Sequence, residues 1–277
     1  MRPSARIAAT SITMPTFQHD GLLFHYREAG TGMPFLFQHG LGGDATQPFG
    51  LFRPPEGSRL LGLDCRAHGL TPVGDTRRLS IATMAEDCAA LLEHLSIARA
   101  AVGGVSLGAA VAINFALRFP GRVRALVLSR PAWLDRPPSS TIAIYSEIAQ
   151  LLRQHGPVKG AELFKQSPAY HQILRESLDS AASLLGQFTQ PRAEEAVARL
   201  DIVQNVPVWT LQEWSSIRIP TLILANRQDP IHPYELAEAM ARRIPGARLA
   251  ELTPKSVSVP AHQADVQRHV ERFLRLV

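Results

Sequence analysis

Short apolar runs bounded by turn residues alternate along this chain with longer segments of helical periodicity. Strand-like runs lie at LLFHYREA (22–29), PFLFQ (34–38), RLLGLD (59–64), RAAVGGV (99–105), ALVLS (125–129), TLILAN (221–226) and RLAEL (248–252). Several are apolar at every position rather than at every second one, as strands covered on both faces are. Alternation with helices predicts a mainly parallel sheet sandwiched between helical layers.

Four helices stand out from spacing. IATMAEDCAALLEHL (81–95) places Ile81, Met84, Ala85, Cys88, Leu91, Leu92 and Leu95 on one face, and LGAAVAINFALRFP (107–120) is apolar nearly all round and closed by Pro120. YELAEAMARRIPG (234–246) is amphipathic, and so is ADVQRHVERFLRLV (264–277), which docks through Val266, Val270, Phe273, Leu274 and Val277. From about Pro131 to Ser216 the alternation stops. That stretch holds only helix-like segments, such as 142–156 and 167–188, punctuated by Pro137-Pro138, Gly156-Pro157, Pro191 and Pro207. A helical insertion between two core strands suits a lid, which divides the chain into a core (1–130 and 217–277) and a cap (131–216).

Composition narrows the class. The chain has 277 residues, 45% hydrophobic and 19% charged, which suits one soluble globular domain with an insertion. No apolar run approaches the roughly 20 residues of a membrane span. MRPSARIAATSITMPTF at the start is basic but broken by Ser, Thr and Pro, and reads as a loose tail rather than a cleaved signal. The net charge of +5 is scattered singly or in pairs such as Arg77-Arg78, without interleaved aromatics, so nucleic acid is not an expected partner. Cys65 and Cys88 form no CxxC and read as small apolar fillers in a reducing, cytoplasmic setting. No cluster has zinc spacing and no phosphate-cradling loop is present, so no metal or cofactor is expected. The expected partner is a small molecule, and the sequence leaves room for a homodimer.

The chemistry begins at Gly104-Val105-Ser106-Leu107-Gly108, between a predicted strand and a predicted helix. G-x-S-x-G in that context is a nucleophile elbow: the turn strains the serine backbone and lifts its Oγ clear of the sheet at the positive end of a helix. A nucleophilic serine needs a base, and the base an orienting acid. Asp229 follows the next-to-last strand in NRQDP, and His262 follows the last in PAHQ. Strand ends on one edge of a parallel sheet converge, so these loops are expected to meet Ser106. Three alternatives stay open. His232 lies on the acid's own loop, too close in sequence to be its obvious partner; His269 lies further along the terminal helix; Asp135 follows an earlier strand.

With HGLGG (39–43) and LDCRAHG (63–69) after two early strands, the chain resembles the α/β-hydrolase family from about residue 20 onward. The resemblance implies a central, mostly parallel eight-stranded sheet with helices on both faces and an inserted helical cap. It implies the triad Ser106–His262–Asp229, and an oxyanion hole from the backbone N–H groups of Leu41 and Leu107. The family's histidine often follows a glycine, where this chain has Ala261.

Gly40, Arg130 and Trp133 are candidate pocket residues: Arg130 to meet a substrate carboxylate, Trp133 to wall an acyl pocket. His39 is expected to brace its loop, and Asp64 and Arg66 to form a local ion pair. Trp209 and Trp214 read as packing. The expected activity is serine-dependent hydrolysis of a small, fairly apolar ester, thioester or lactone. The rivals are carbon–carbon bond hydrolysis, whose enzymes usually carry asparagine where Val105 stands, and a non-catalytic receptor on the same scaffold.

Overall fold

A computed structural model describes residues 14–136, 139–206 and 210–277. The strands are β1 (Thr16–His19), β2 (Leu22–Gly30), β3 (Met33–Gln38), β4 (Ser58–Leu63), β5 (Ala100–Val105), β6 (Val123–Ser129), β7 (Thr221–Ala225) and β8 (Arg248–Glu251). They form one sheet in the order β1-β2-β4-β3-β5-β6-β7-β8. β1–β2 and β2–β4 pair antiparallel and every later pair is parallel. Seven strands coincide with the apolar runs to within two residues. The eighth, β1, falls at the end of the segment read as a tail, of which residues 1–13 lie outside the described part.

Helices α1 (Gln47–Leu51), α2 (Ile81–His94), α3 (Leu107–Arg118), α8 (Tyr234–Arg243) and α9 (Val259–Leu274) flank the sheet. Alternate residues of one strand face opposite layers. Leu36 on β3 therefore joins one buried cluster with Met84, Leu91, Ile113 and Met240 of α2, α3 and α8. Its neighbours Phe35 and Phe37 join a second cluster with Phe52 and with Val266, Val270 and Phe273 of α9. Val277, expected to dock with these, is exposed. Cys65 and Cys88 are buried free thiols, and Cys88 Sγ accepts from Gln38 Nε2 at 2.7 Å.

Between β6 and β7 the described residues are helical: α4 (Ser139–Phe164), α5 (Pro168–Glu176), α6 (Leu178–Thr189), a 3₁₀ segment Val197–Gln204 and α7 (Leu211–Ser216). α4 kinks at Gly156 before Pro157. The single helix expected over 167–188 is two, because Ser177 ends α5 and caps α6, accepting from Ser180 N–H at 3.2 Å. Trp214 is fully buried here; Trp209 lies outside the described residues.

The expected Asp64–Arg66 pair is not formed. Arg66 reaches the buried Asp87 through two bonds of 2.8 and 2.6 Å, while Asp64 accepts from the N–H groups of Ala45 and Leu70. One strand end cannot turn both side chains to each other when each has a better-placed partner on a neighbouring element.

Candidate active site

Ser106 is the hinge between β5 and α3, with φ 55° and ψ −114°. A residue with a side chain is strained there, and the surroundings enforce it. A Cβ on Gly104 would lie 2.2 Å from the Gly108 carbonyl carbon, and one on Gly108 would lie 2.3 Å from the Gln38 carbonyl oxygen. Only glycines let strand, turn and helix approach this closely. The Ser106 N–H donates to Ser129 O at 3.0 Å, pinning the turn to β6.

The loop after β7 supplies both remaining groups. Asp229 Oδ1 accepts from the N–H groups of Ile231 (3.2 Å) and His232 (3.1 Å), which folds residues 229–232 back on themselves. That fold sets His232 Nδ1 3.0 Å from both Asp229 oxygens and Nε2 2.8 Å from Ser106 Oγ. An ionised carboxylate only accepts, so Nδ1 carries the proton and Nε2 accepts from the serine hydroxyl.

This corrects the expectation for His262. Its helix was expected to start at Ala264, which left the histidine on a loop. Instead Ser258 caps α9, with Pro260 in the first turn, so the helix begins five residues earlier. His262 is wound into that turn, only 1% exposed, and its Nδ1 donates to Thr253 O at 2.8 Å. His269 stands half-buried beside Arg268, and Asp135 pairs with Arg136 at 3.8 Å. Neither joins Ser106. His232, one of the alternatives the sequence leaves open, needs only a four-residue turn to meet both Asp229 and Ser106.

Burial alone would raise the Asp229 carboxyl. The charges and hydrogen bonds of His232 and Arg130 override it and hold the group well below the usual carboxylate range. Arg130, itself at a positive φ of 48°, places Nε 2.6 Å from Asp229 Oδ2. Burial pushes the His232 imidazole below its ordinary value, Asp229 opposing and Arg130 reinforcing the shift. The site therefore holds a neutral imidazole on an ionised carboxylate, the state a base must start from.

The HGLGG loop beside the serine is held from several sides. His39 braces it as expected, donating from Nδ1 to Gly40 O (2.8 Å) and accepting the Cys65 N–H at Nε2 (3.1 Å). Gly40 N–H donates to Gln47 Oε1 at 2.7 Å, and Gln187 Nε2 from α6 donates to Leu41 O at 3.1 Å. Leu107 opens α3. Among the described residues, neither the Leu41 nor the Leu107 N–H has a hydrogen-bond partner.

A cavity of ≈ 50 Å³ opens on Ser106 and His232, walled by Gly40, Leu41, Gln47, Arg130 and, from the helical segment, Tyr145, Ser180, Ser183 and Leu184. Gly40 and Arg130 thus line this cavity. Trp133 does not: it is buried with its indole N–H donating to Val203 O at 3.3 Å, tying the 3₁₀ segment to the end of β6. Gln187, Tyr145, Ser180 and Ser183 carry no sequence signal, because no spacing marks polar residues that the helical segment brings over the sheet edge, and Gln47 at the start of α1 reads as an ordinary loop residue. Among the described residues no helix is long and apolar enough to cross a membrane, and no group of three His, Cys, Asp or Glu could hold a metal ion.

The family model for the α/β hydrolase fold matches residues 33–254. The chain is 27% identical over 242 residues to the AB hydrolase superfamily protein YisY of Bacillus subtilis, covering 82% of this chain and 84% of that one. It is 24% identical over 260 residues to 3-oxoadipate enol-lactonase 2 of Acinetobacter baylyi, covering 85% and 92%. Among solved structures it is similar to a malate-bound thermophilic esterase from Thermogutta terrifontis, with 25% identity, coverage of 95% and 97%, and a TM-score of 0.70.

Proposed function

The chain belongs to the α/β hydrolase fold family, and from that premise we propose that it is a serine hydrolase of short carboxylic esters, thioesters or lactones, working through Ser106, His232 and Asp229. The observation that carries this reading is the 2.8 Å contact between His232 Nε2 and Ser106 Oγ, with the same ring's Nδ1 on Asp229. The named relatives, an enol-lactonase and an esterase, support the reaction class.

In the first half-reaction His232 Nε2 takes the Ser106 proton as Oγ bonds to the acyl carbon. The carbonyl π pair moves onto oxygen, facing the unpartnered N–H groups of Leu41 and Leu107. Asp229 stays ionised and holds the imidazolium in place. Collapse of this intermediate expels the alcohol, thiol or lactone hydroxyl, which takes the proton from His232. A water then repeats the sequence on the acyl-enzyme: His232 takes its proton, and collapse returns that proton to Ser106 Oγ as the acid departs.

The test is a burst experiment with p-nitrophenyl acetate, paired with mass analysis after treatment with a sulfonyl fluoride. The expected result is steady turnover that Ser106→Ala abolishes, and a single adduct on Ser106. Turnover that survives Ser106→Ala in full, or an adduct elsewhere, overturns the assignment.

A further inference from the structure

The cavity over Ser106 has a chemistry that the serine, imidazole and acid do not use. Arg130 reaches it with a side chain 12% exposed. A guanidinium carries five N–H donors. In Arg130 the Nε–H alone has a hydrogen-bond partner among the described residues, Asp229 Oδ2 at 2.6 Å. Its Nη2 stands 4.0 Å from Asp179 Oδ2, beyond hydrogen-bond reach, and Asp179 is itself engaged by Lys255 at 3.3 Å. The planar Nη1/Nη2 edge thus has no acceptor among those residues. The helical segment adds Tyr145, Ser180 and Ser183 to the same walls. Burial pushes the Tyr145 phenol up to about 12, so it remains a donor at any working pH. The lining therefore sets the donors of Arg130, Tyr145, Ser180 and Ser183 beside the apolar Leu41, Val105, Leu184 and Ile231, a more polar pocket than an apolar ester alone calls for.

We infer that the substrate is an ester or lactone of a short dicarboxylic acid, whose second carboxylate is held by the Nη1/Nη2 edge of Arg130 with Tyr145, Ser180 and Ser183 beside it. A fork-on-carboxylate contact is the geometry in which arginine binds such a group best. This inference rests on the serine-hydrolase reading above.

Two p-nitrophenyl esters of matched shape test it: the succinic half-ester, and the 4-methylpentanoate, in which an isopropyl group replaces the carboxylate. The expected kcat/KM ratio, anionic over neutral, is about 10–100 in the native enzyme. Because Arg130 also touches Asp229, Arg130→Gln slows both esters, and the ratio is what isolates the recognition step. It should fall to about 1, and Tyr145→Phe should lower it several-fold. Succinate binding by calorimetry is measured in parallel on Ser106→Ala and on the same variant with Arg130→Gln added. Binding present in the first and lost in the second supports the site. A native ratio at or below 1, a ratio unchanged by Arg130→Gln, or no succinate binding to Ser106→Ala overturns it. Should neither ester be turned over in a Ser106-dependent way, the hydrolase reading fails, and the succinate titrations still decide whether the carboxylate site exists.

Discussion

Two buried histidines, His232 after β7 and His262 after β8, are the candidates for the base, and a pair of substitutions separates them. In His232→Ala, Ser106 Oγ loses the acceptor 2.8 Å away and Asp229 loses the ring it orients. A positioned general base is worth about 10²–10⁴ in rate, and removal of a working triad member costs up to about 10⁶. The expected loss in kcat/KM is therefore about 10³–10⁶, or ~4–8 kcal/mol of transition-state stabilisation. His262→Ala removes something different. Its imidazole donates to Thr253 O at the start of the loop after β8, in a site with almost no solvent. Leaving that carbonyl without a partner costs about 1–3 kcal/mol of stability. For a chain of this size that is a drop of about 2–10 °C in Tm.

The assay is p-nitrophenyl acetate hydrolysis alongside thermal melting of both variants. The expected pattern is crossed: His232→Ala folded and inactive, His262→Ala less stable with kcat within about three-fold of native. The reverse pattern refutes the geometry. If His262→Ala keeps native circular dichroism yet loses three decades of activity, while His232→Ala retains it, the base is the histidine after β8.

Three further outcomes follow from the same contacts. Because burial depresses the His232 pKa, the acid limb of kcat/KM should inflect below the ordinary imidazole value of about 6.5; an inflection above 7 in a pH–rate profile contradicts this. His39, His68, His232 and His262 are all buried with depressed pKa values, so below pH ~6.5 the unfolded chain binds more protons than the folded one. Stability is then complete above that value and falls with pH, by up to about 1.4 kcal/mol per pH unit for each histidine that stays neutral when folded, which urea titrations at pH 7.5 and 5.5 measure. Gly108→Ala forces a Cβ to within 2.3 Å of the Gln38 carbonyl oxygen, against the Gln38–His39 backbone; a loss of about 1–3 kcal/mol or more in the same titrations is expected, and a neutral result would show that the elbow can relax.

The sheet could be read in advance because five of its strands, β3 to β7, are nearly continuous apolar runs buried on both faces, while β2 and β8 are short runs with apolar positions between turn residues. β1 could not be: Thr16–His19 buries only Phe17, so one apolar residue among polar neighbours looks like a tail. The serine was legible because its constraint is local, two glycines at fixed offsets. The proposed base was not, since the choice between His232 and His262 depends on where α9 begins. Ser258, Val259 and Pro260 are ordinary residues until the chain is folded, and a helix starting five residues earlier turns His262 inward. The donors of the cavity wall lie furthest from sequence. Tyr145 and Ser183 come from helices whose placement is set by the whole packing of the segment between β6 and β7.

With the proposed acid and base three residues apart, their arrangement makes few demands on the rest of the molecule. Asp229 Oδ1 accepts two backbone N–H groups of its own turn, so the Asp229–His232 pair is shaped by four residues and needs no second loop. Its distance to Ser106 is then set by the parallel neighbours β5, β6 and β7, the most buried strands of the sheet. Rigid central strands are a better ruler than the last, half-exposed strand, whose loop would otherwise have to deliver the histidine. That loop instead delivers Lys255 to Asp179 on α6, a contact that joins the sheet edge to the helical segment above the cavity. A mutation loosening the loop after β8 should accordingly disturb how the helical segment sits on the sheet before it disturbs proton transfer, raising KM while leaving kcat nearly unchanged. An arrangement with the base on that loop requires both constants to fail together.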